Sequence, residues 1–385
     1  MASHLWTKSF VALCLAVLLA ACAPSSPAPM ALPTPPAMAA PRPTTAPADW
    51  PTSSPEAQGM DSTALLAALD AAREQKLDMD GLLVARNGTI VMEAYFGPYG
   101  PDTLHDLYSC TKSFVSTLVG IAIDQGKLAG VHEPVLSFFP GRTFPNTDSR
   151  KQALTLEHLL TMTSGLQWTE ADAEYVALYR SGNWVGNLLG RPMVDDPGAR
   201  FNYSSGASHI ISAILQQATG TTTLALARDS LLGPLGIRNY TWEADAQGIA
   251  IGGWGLRLSP RDMARLGQLY LDGGVWQGQR IVSADWVRQA TATQVAGPDN
   301  LGYGYQWWVH PALHGYMARG RGGQLIFVAP EPRLVIVFTA TDQNDGAFFK
   351  LIEEHILPAA RSATPLPENP EALAALRTAC GAVAH

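Results

Sequence analysis

Tyr108-Ser109-Cys110-Thr111-Lys112-Ser113-Phe114-Val115-Ser116-Thr117-Leu118-Val119-Gly120-Ile121-Ala122-Ile123 is the stretch on which the reading of this chain turns. It starts polar, becomes apolar and runs into Gly126, which predicts a helix over about 109–125. Ser109 and Lys112 stand three residues apart at its start, so they share one helical face and the amine can reach the hydroxyl. A serine hydroxyl is a weak nucleophile until a neighbouring base takes its proton, and a desolvated lysine can serve. The helix N-terminus adds positive partial charge that favours an oxyanion. The same spacing also arises as an N-cap serine followed by a surface lysine. Against that stands the apolar run that follows Lys112, where an unpaired lysine would be costly.

The flanking elements give the fold class. Upstream, Asp61 is a fair N-cap for a helix carrying Leu65, Leu66, Leu69 and Ala72 to about residue 75. Strands over 82–86 and 89–96 flank Asn87-Gly88, the dipeptide preferred by a type I′ hairpin. Downstream, 154–270 reads as mostly helical and loop-rich, with helices over 156–161, 206–218, 222–231 and 260–271. Strand signals return over 304–310, 316–319, 324–329 and 333–339, with turn residues at 320–323 and 330–332, and a helix over 348–357 closes the domain. Strands at both ends with helices between them predict an α+β fold: an antiparallel sheet formed from N- and C-terminal segments, flanked by helices, with an inserted mostly helical region.

Composition narrows the class. Of 385 residues, 47% are hydrophobic and 15% charged, so a sizeable core is expected and wholesale disorder is excluded. The net charge is -7 with no basic block, which argues against a nucleic-acid partner. Four cysteines without a CxxC, and no HExxH helix, give no disulfide scaffold and no metal site; no cofactor motif appears either. Cys110 reads as a small buried residue, and a Cys110–Cys380 bridge is not expected.

At the N-terminus, Lys8 precedes the apolar run 10–19, too short to span a bilayer. Leu19-Ala20-Ala21-Cys22 resembles the bacterial lipobox. Residues 1–21 are therefore expected to be a lipoprotein signal peptide, with Cys22 as the site of lipid attachment. The alternative is an ordinary signal peptide. Residues 22–56 form a Pro/Ala-rich tether, since 23–55 hold 11 of the 28 prolines and should form neither a ladder nor a core. The folded domain is expected over 57–362 and a loosely ordered tail over 363–385. The expected location is the periplasm or cell envelope, on a membrane anchor.

Two later segments support the chemistry. Phe201-Asn202-Tyr203-Ser204-Ser205-Gly206 puts a tyrosine directly before a helix. A phenol held near an ammonium can have its pKa lowered enough to exchange protons with a nucleophile and a leaving group; alternatively Tyr203 is a core residue. Arg319-Gly320-Arg321-Gly322-Gly323-Gln324 leads into a buried strand, where glycines let a substrate approach the backbone; alternatively it is a plain hairpin turn.

Together these blocks resemble the penicillin-recognising serine hydrolases: class C β-lactamases, D-alanyl-D-alanine carboxypeptidases, related esterases and especially 6-aminohexanoate-dimer hydrolases. The resemblance spans about 57–360 and rests on Ser109-x-x-Lys112, Tyr203-Ser204-Ser205 and Arg321-Gly322-Gly323, with supporting blocks at 156–165, 255–264 and 302–308. It implies Ser109 as the acylated nucleophile, Lys112 as the base or its partner, Tyr203 as proton shuttle, and the N–H groups of Ser109 and Gln324 as oxyanion hole. Ser205, Arg321, Gly322, Gly323 and Trp254 would bind substrate, without metal or cofactor.

The departures shape the expected activity. Ser205 stands where lactamases and carboxypeptidases usually carry Asn, and no lysine occurs between Lys151 and Lys350, so the third motif lacks one. Gly322 also lacks the hydroxyl found there in the family. Arg319 or Arg321 is left to hold a substrate carboxylate. Trp184, Trp254, Trp307 and Trp308 suggest an aromatic-walled acyl pocket, or simply core packing. The expectation is a serine hydrolase of small-molecule esters or linear amides. The alternatives are a true β-lactamase or carboxypeptidase, and a non-catalytic envelope protein that keeps the fold for binding.

Overall fold

The computed structural model describes residues 37–39, 50–341 and 345–381. Cys22 and the signal segment lie outside the described residues.

Asn87 and Gly88 both adopt positive φ (53° and 77°), the signature of a type I′ turn, and they join Gly81–Arg86 to Thr89–Tyr95 with Arg86 facing Thr89. This hairpin forms one edge of an eight-stranded antiparallel sheet. The order continues through Leu334–Thr339, Gln324–Ala329, Gly315–Gly320, Trp308–His310, Gly302–Tyr303 and Val295–Ala296. Strands from the two ends of the domain therefore pair as the second and third of the eight, with Gly81 opposite Thr339. The fold class is the α+β arrangement expected.

Side chains alternate across the sheet, and both faces are buried, so the central strands read as unbroken apolar runs. Leu334, Ile336 and Phe338 pack with Leu65, Leu69, Phe348 and Ile352 from helices Ser62–Glu74 and 345–356. Phe338 and Phe348 stack at 4.3 Å with planes 11° apart. Val335 and Val337 face the opposite way, onto Phe114, Leu118, Met263 and Leu266 of helices Thr111–Asp124 and Pro260–Leu271. At Gly267 the second of these helices lies so close that a Cβ would meet Val335 at 2.6 Å.

Four expectations need correction. Residues 304–310 do not form one strand: Gly302–Tyr303 pairs back on Trp308–Val309, and Gln306 turns the corner with φ 62°. Gln306 is held there because its side-chain amide donates to the carbonyls of Leu159 and Leu160 and accepts from Ser208. The tail is not loose: Pro370–Gly381 is a helix burying Leu376 and Ala379, and Arg73 donates to the Ala379 carbonyl at 2.8 Å. Its apolar residues recur at helical spacing, and the exposed flank of helix Ser62–Glu74 gives them somewhere to pack.

The tether also ends earlier than residue 56. Trp50 is buried edge-on against Trp276 and donates to the Gly88 carbonyl, and buried Glu56 accepts from the Ser62 amide. Finally, Ala37–Ala39, a proline-free window, pairs with Thr241–Glu243 in a ladder that the composition appeared to forbid. The inserted region is helical as expected. It includes Asp172–Ser181 and Trp184–Leu189, which the periodicity did not reveal.

Candidate active site

Ser109 lies in a 3-10 turn, Tyr108–Cys110, that feeds directly into helix Thr111–Asp124. The turn is fixed from both sides. Leu107 donates to Leu256, the Cys110 thiol donates to the Gln324 carbonyl at 3.4 Å, and Tyr108 takes a positive φ of 43°. Positive φ at a tyrosine is strained, and such strain persists only where the surroundings impose it. The result is a partly exposed Ser109 above a helix buried from Thr111 to Ala122.

Lys112 is buried one turn below. Its Nζ donates to Ser109 Oγ at 2.8 Å, to Ser205 Oγ at 3.0 Å and to the Gly253 carbonyl at 2.9 Å. Those bonds use every N–H an ammonium has. Burial pulls its pKa down to about 8, while the Glu170 carboxylate pulls it back up. A lysine in that state can exchange a proton with Ser109 near neutral pH.

Tyr203 arrives from a loop pinned by the Asn202 amide on the Met162 carbonyl, and Ser204 caps the helix that follows. Its ring stacks on Trp308 (5.7 Å, 22°), and Lys112 Nζ sits over that ring, 4.8 Å from the centroid. The phenol pKa departs from expectation. Burial raises it well above the usual value, and the hydrogen bond with Ser109 only partly opposes this. The ammonium lies over the ring face, and Trp308 excludes water, so the neutral phenol is the resting form.

Ser109 and Tyr203 open onto a cavity of about 290 Å³ whose other wall is Trp308, Arg319, Gly320–Gly323 and Asp345. Gly322 (φ 79°) and Gly323 (φ 96°) hold conformations that favour glycine, and a Cβ on Gly322 would meet the Thr341 carbonyl at 2.7 Å. Of the two arginines, Arg319 is engaged. It grips Asp345 through two hydrogen bonds (2.6 and 3.0 Å) and lies over the Trp308 ring. Arg321 is exposed at the rim, with no ion-pair partner among the described residues.

Other anticipated residues sit differently. Ser205 is buried beneath the cavity, its hydroxyl held between Lys112 and Glu170 rather than facing substrate space. Trp254 does not line the cavity; it packs against Tyr175 and Trp184 beside it. Gln324 opens its strand directly after Gly323, with its side chain bonded to Ala340. Trp307 and Trp308 point to opposite faces, Trp307 into the core on Tyr270 and Trp308 toward Tyr203. Cys110 and Cys380 are free thiols, and burial pushes the Cys110 thiol up, away from nucleophilic character. No cluster of metal-ligating side chains occurs among the described residues.

Glu170 went unrecognised in the sequence. It accepts from the Ser205 amide and hydroxyl (both 2.8 Å), from the Trp168 indole and from the Tyr175 hydroxyl. Burial alone would raise its pKa; the Lys112 charge and these donors hold it below the usual value. One of three alternating carboxylates, Glu170, Asp172 and Glu174, it was not distinguished by spacing from its neighbours. Its one hint was its place two residues after Trp168.

A family model described as Beta-lactamase matches residues 56–361. Among characterised relatives, a 6-aminohexanoate-dimer hydrolase from Paenarthrobacter ureafaciens is 28% identical over 290 residues, covering 69% of this chain and 74% of the relative. Esterase EstB from Burkholderia gladioli is 31% identical over 210 residues, covering 48% of this chain and 53% of the esterase. The solved structure of a family VIII carboxylesterase superposes with a TM-score of 0.66 at 18% identity, covering 80% of this chain and 98% of that one.

Proposed function

The chain belongs to the beta-lactamase family, and from that premise we propose that it is a serine hydrolase of small esters or linear amides working through an acyl-enzyme on Ser109. The observation that carries this reading is the buried Lys112 amine, its pKa near 8, bonded at 2.8 Å to a hydroxyl that opens onto a cavity.

In the proposed sequence, neutral Lys112 takes the Ser109 proton as Oγ attacks the substrate carbonyl carbon. The oxyanion is met by the Ser109 and Gln324 amides. When the carbon–leaving-group bond breaks, the neutral Tyr203 phenol protonates the departing oxygen or nitrogen, and the Lys112 ammonium restores the phenol's proton. Water then attacks the ester carbon of the acyl-enzyme, and the same groups act in reverse. A raised phenol pKa suits a proton donor, so the departure from expectation at Tyr203 fits this role.

Esters and linear amides are favoured over β-lactams because Ser205 is committed to Lys112 and Glu170, and because the named activities of the relatives above include an esterase and an amide hydrolase. Export and a lipid anchor on Cys22 belong to the same proposal and rest on the N-terminal sequence. The test is active-site labelling. A fluorophosphonate should add mass to Ser109 in the wild-type protein and leave Ser109→Ala unlabelled. Folded protein that takes no label and hydrolyses no simple ester would point to a binding protein instead. Faster turnover of a chromogenic cephalosporin than of simple esters would overturn the substrate class.

A further inference from the structure

Glu170 has no direct access to the cavity, yet it terminates the hydrogen-bond chain that begins at the nucleophile. Ser109 Oγ meets Lys112 Nζ at 2.8 Å, Nζ donates to Ser205 Oγ at 3.0 Å, and Ser205 Oγ donates to Glu170 Oε2 at 2.8 Å. Glu170 is itself fixed by the Ser205 amide, the Trp168 indole and the Tyr175 hydroxyl, which also approaches Ser205 Oγ at 3.3 Å. Donors therefore surround a carboxylate on a residue that keeps an exposed edge, and its remaining partner is the hydroxyl that receives Lys112. A buried ammonium is costly unless hydrogen bonds and an opposite charge compensate it, and Lys112 is 1% exposed.

Resting on the serine-hydrolase reading above, we propose that Glu170 is a positioning residue that acts through Ser205: it aims the Lys112 amine at Ser109 and sets the pH at which that amine becomes a base. When Lys112 takes the Ser109 proton, its three N–H bonds are accepted by Ser109, Ser205 and Gly253, and Glu170 balances the new charge without itself receiving a proton. The charged or titratable groups that bear on Lys112 and Glu170 are few. Cys110 lies beside Lys112 on its own turn, Tyr203 faces it from the 199–204 loop, Tyr303 packs edge-on to Tyr203 within reach of the Glu170 charge, and Tyr175 reaches in from helix Asp172–Ser181 with Arg321 beyond it. Cys110, Tyr203, Tyr303 and Tyr175 all have pKa values pushed up by burial and so stay neutral through the range in which Lys112 titrates. Glu170 is the one carboxylate among them.

The sign of the effect follows. A carboxylate favours the ammonium, so its loss makes Lys112 easier to deprotonate and moves the acid limb of the pH–rate profile downward. The experiment measures kcat and kcat/KM against pH for a short-chain p-nitrophenyl ester, with wild-type, Glu170→Gln and Ser205→Ala proteins. For Glu170→Gln the acid limb should fall by about one pH unit, since an opposite charge this close shifts a pKa by that order or more. Its plateau kcat should drop roughly 10- to 100-fold as the amine loses its aim, with KM nearly constant. Ser205→Ala, which keeps the carboxylate but breaks the link, should move the limb in the same direction by less.

A merely structural role would lower activity without moving the limb, and an unmoved limb in Glu170→Gln overturns the proposal. Should that variant not fold, the limb in Ser205→Ala decides alone. The two readings fail separately: an unlabelled, inactive wild type sinks the hydrolase reading. A labelled, active wild type with unmoved limbs in the variants sinks only the role of Glu170.

Discussion

Replacing Lys112 with methionine should remove activity while making the protein more stable, and the gain should depend on pH. Methionine nearly matches the volume of the aliphatic stem and places no charge in the core. Lys112 is 1% exposed, and burial lowers its pKa from 10.5 to about 8, a gap of 2.5 units. At about 1.36 kcal/mol per unit, folding the protonated lysine costs roughly 3 kcal/mol. The sign is set by linkage: the unfolded chain holds this proton more tightly. The destabilisation is therefore complete below the folded pKa of about 8 and vanishes as pH rises toward 10.5. Leaving Ser205 Oγ and the Gly253 carbonyl without their donor, and the partly exposed Glu170 without its counter-charge, returns about 1–2 kcal/mol. The net gain at pH 7 is then about 1–2 kcal/mol, a few degrees in Tm. Thermal unfolding of both proteins at pH 7 and pH 10 should show the Tm difference shifting against the methionine variant at the higher pH. Ester hydrolysis should fall about 10²- to 10⁴-fold through loss of the base. A Tm difference unchanged between the two pH values, or an activity loss below tenfold, would refute the assignment of a buried, desolvated amine at this position.

Gly322→Ala should leave the protein folded but cut kcat/KM roughly 10- to 100-fold, because its φ of 79° and the Thr341 carbonyl at 2.7 Å force the cavity wall to move; wild-type rates of ester hydrolysis and of Ser109 labelling would contradict this. Ending the chain after residue 362 should lower stability by about 3 kcal/mol, the worth of burying Leu376 and its neighbours against helix Ser62–Glu74. Denaturant midpoints of the full and shortened chains check this, and equal midpoints would return the segment to the status of a loose tail.

What could be read from sequence was governed by range. The type I′ hairpin was legible because Asn87-Gly88 carries its conformational preference within two residues. Helix Thr111–Asp124 and strand Gln324–Ala329 were legible because burial wrote itself into continuous apolar runs. The placement of Ser109 against Lys112 follows from one helical turn. The pKa of Tyr203 could not be read, because the ring that dehydrates it, Trp308, comes from a distant strand. Glu170 was equally hidden, since its meaning depends on Ser205 lying above it. The role first given to Ser205 misjudged direction rather than location: the residue is in the site, but its hydroxyl points down into the protein.

The meeting of Gly81–Arg86 with Leu334–Thr339 also fixes an order of events in time. During synthesis the early hairpin must wait, its inner strand unpaired, until nearly the whole chain has been made, and sheets closed over such separations form slowly. Gly320–Gly323 and Trp308, which complete the cavity, emerge only shortly before that closing strand. A nascent chain thus carries its serine and lysine long before it owns a pocket, and any hydrolytic power would be the last property the polypeptide acquires.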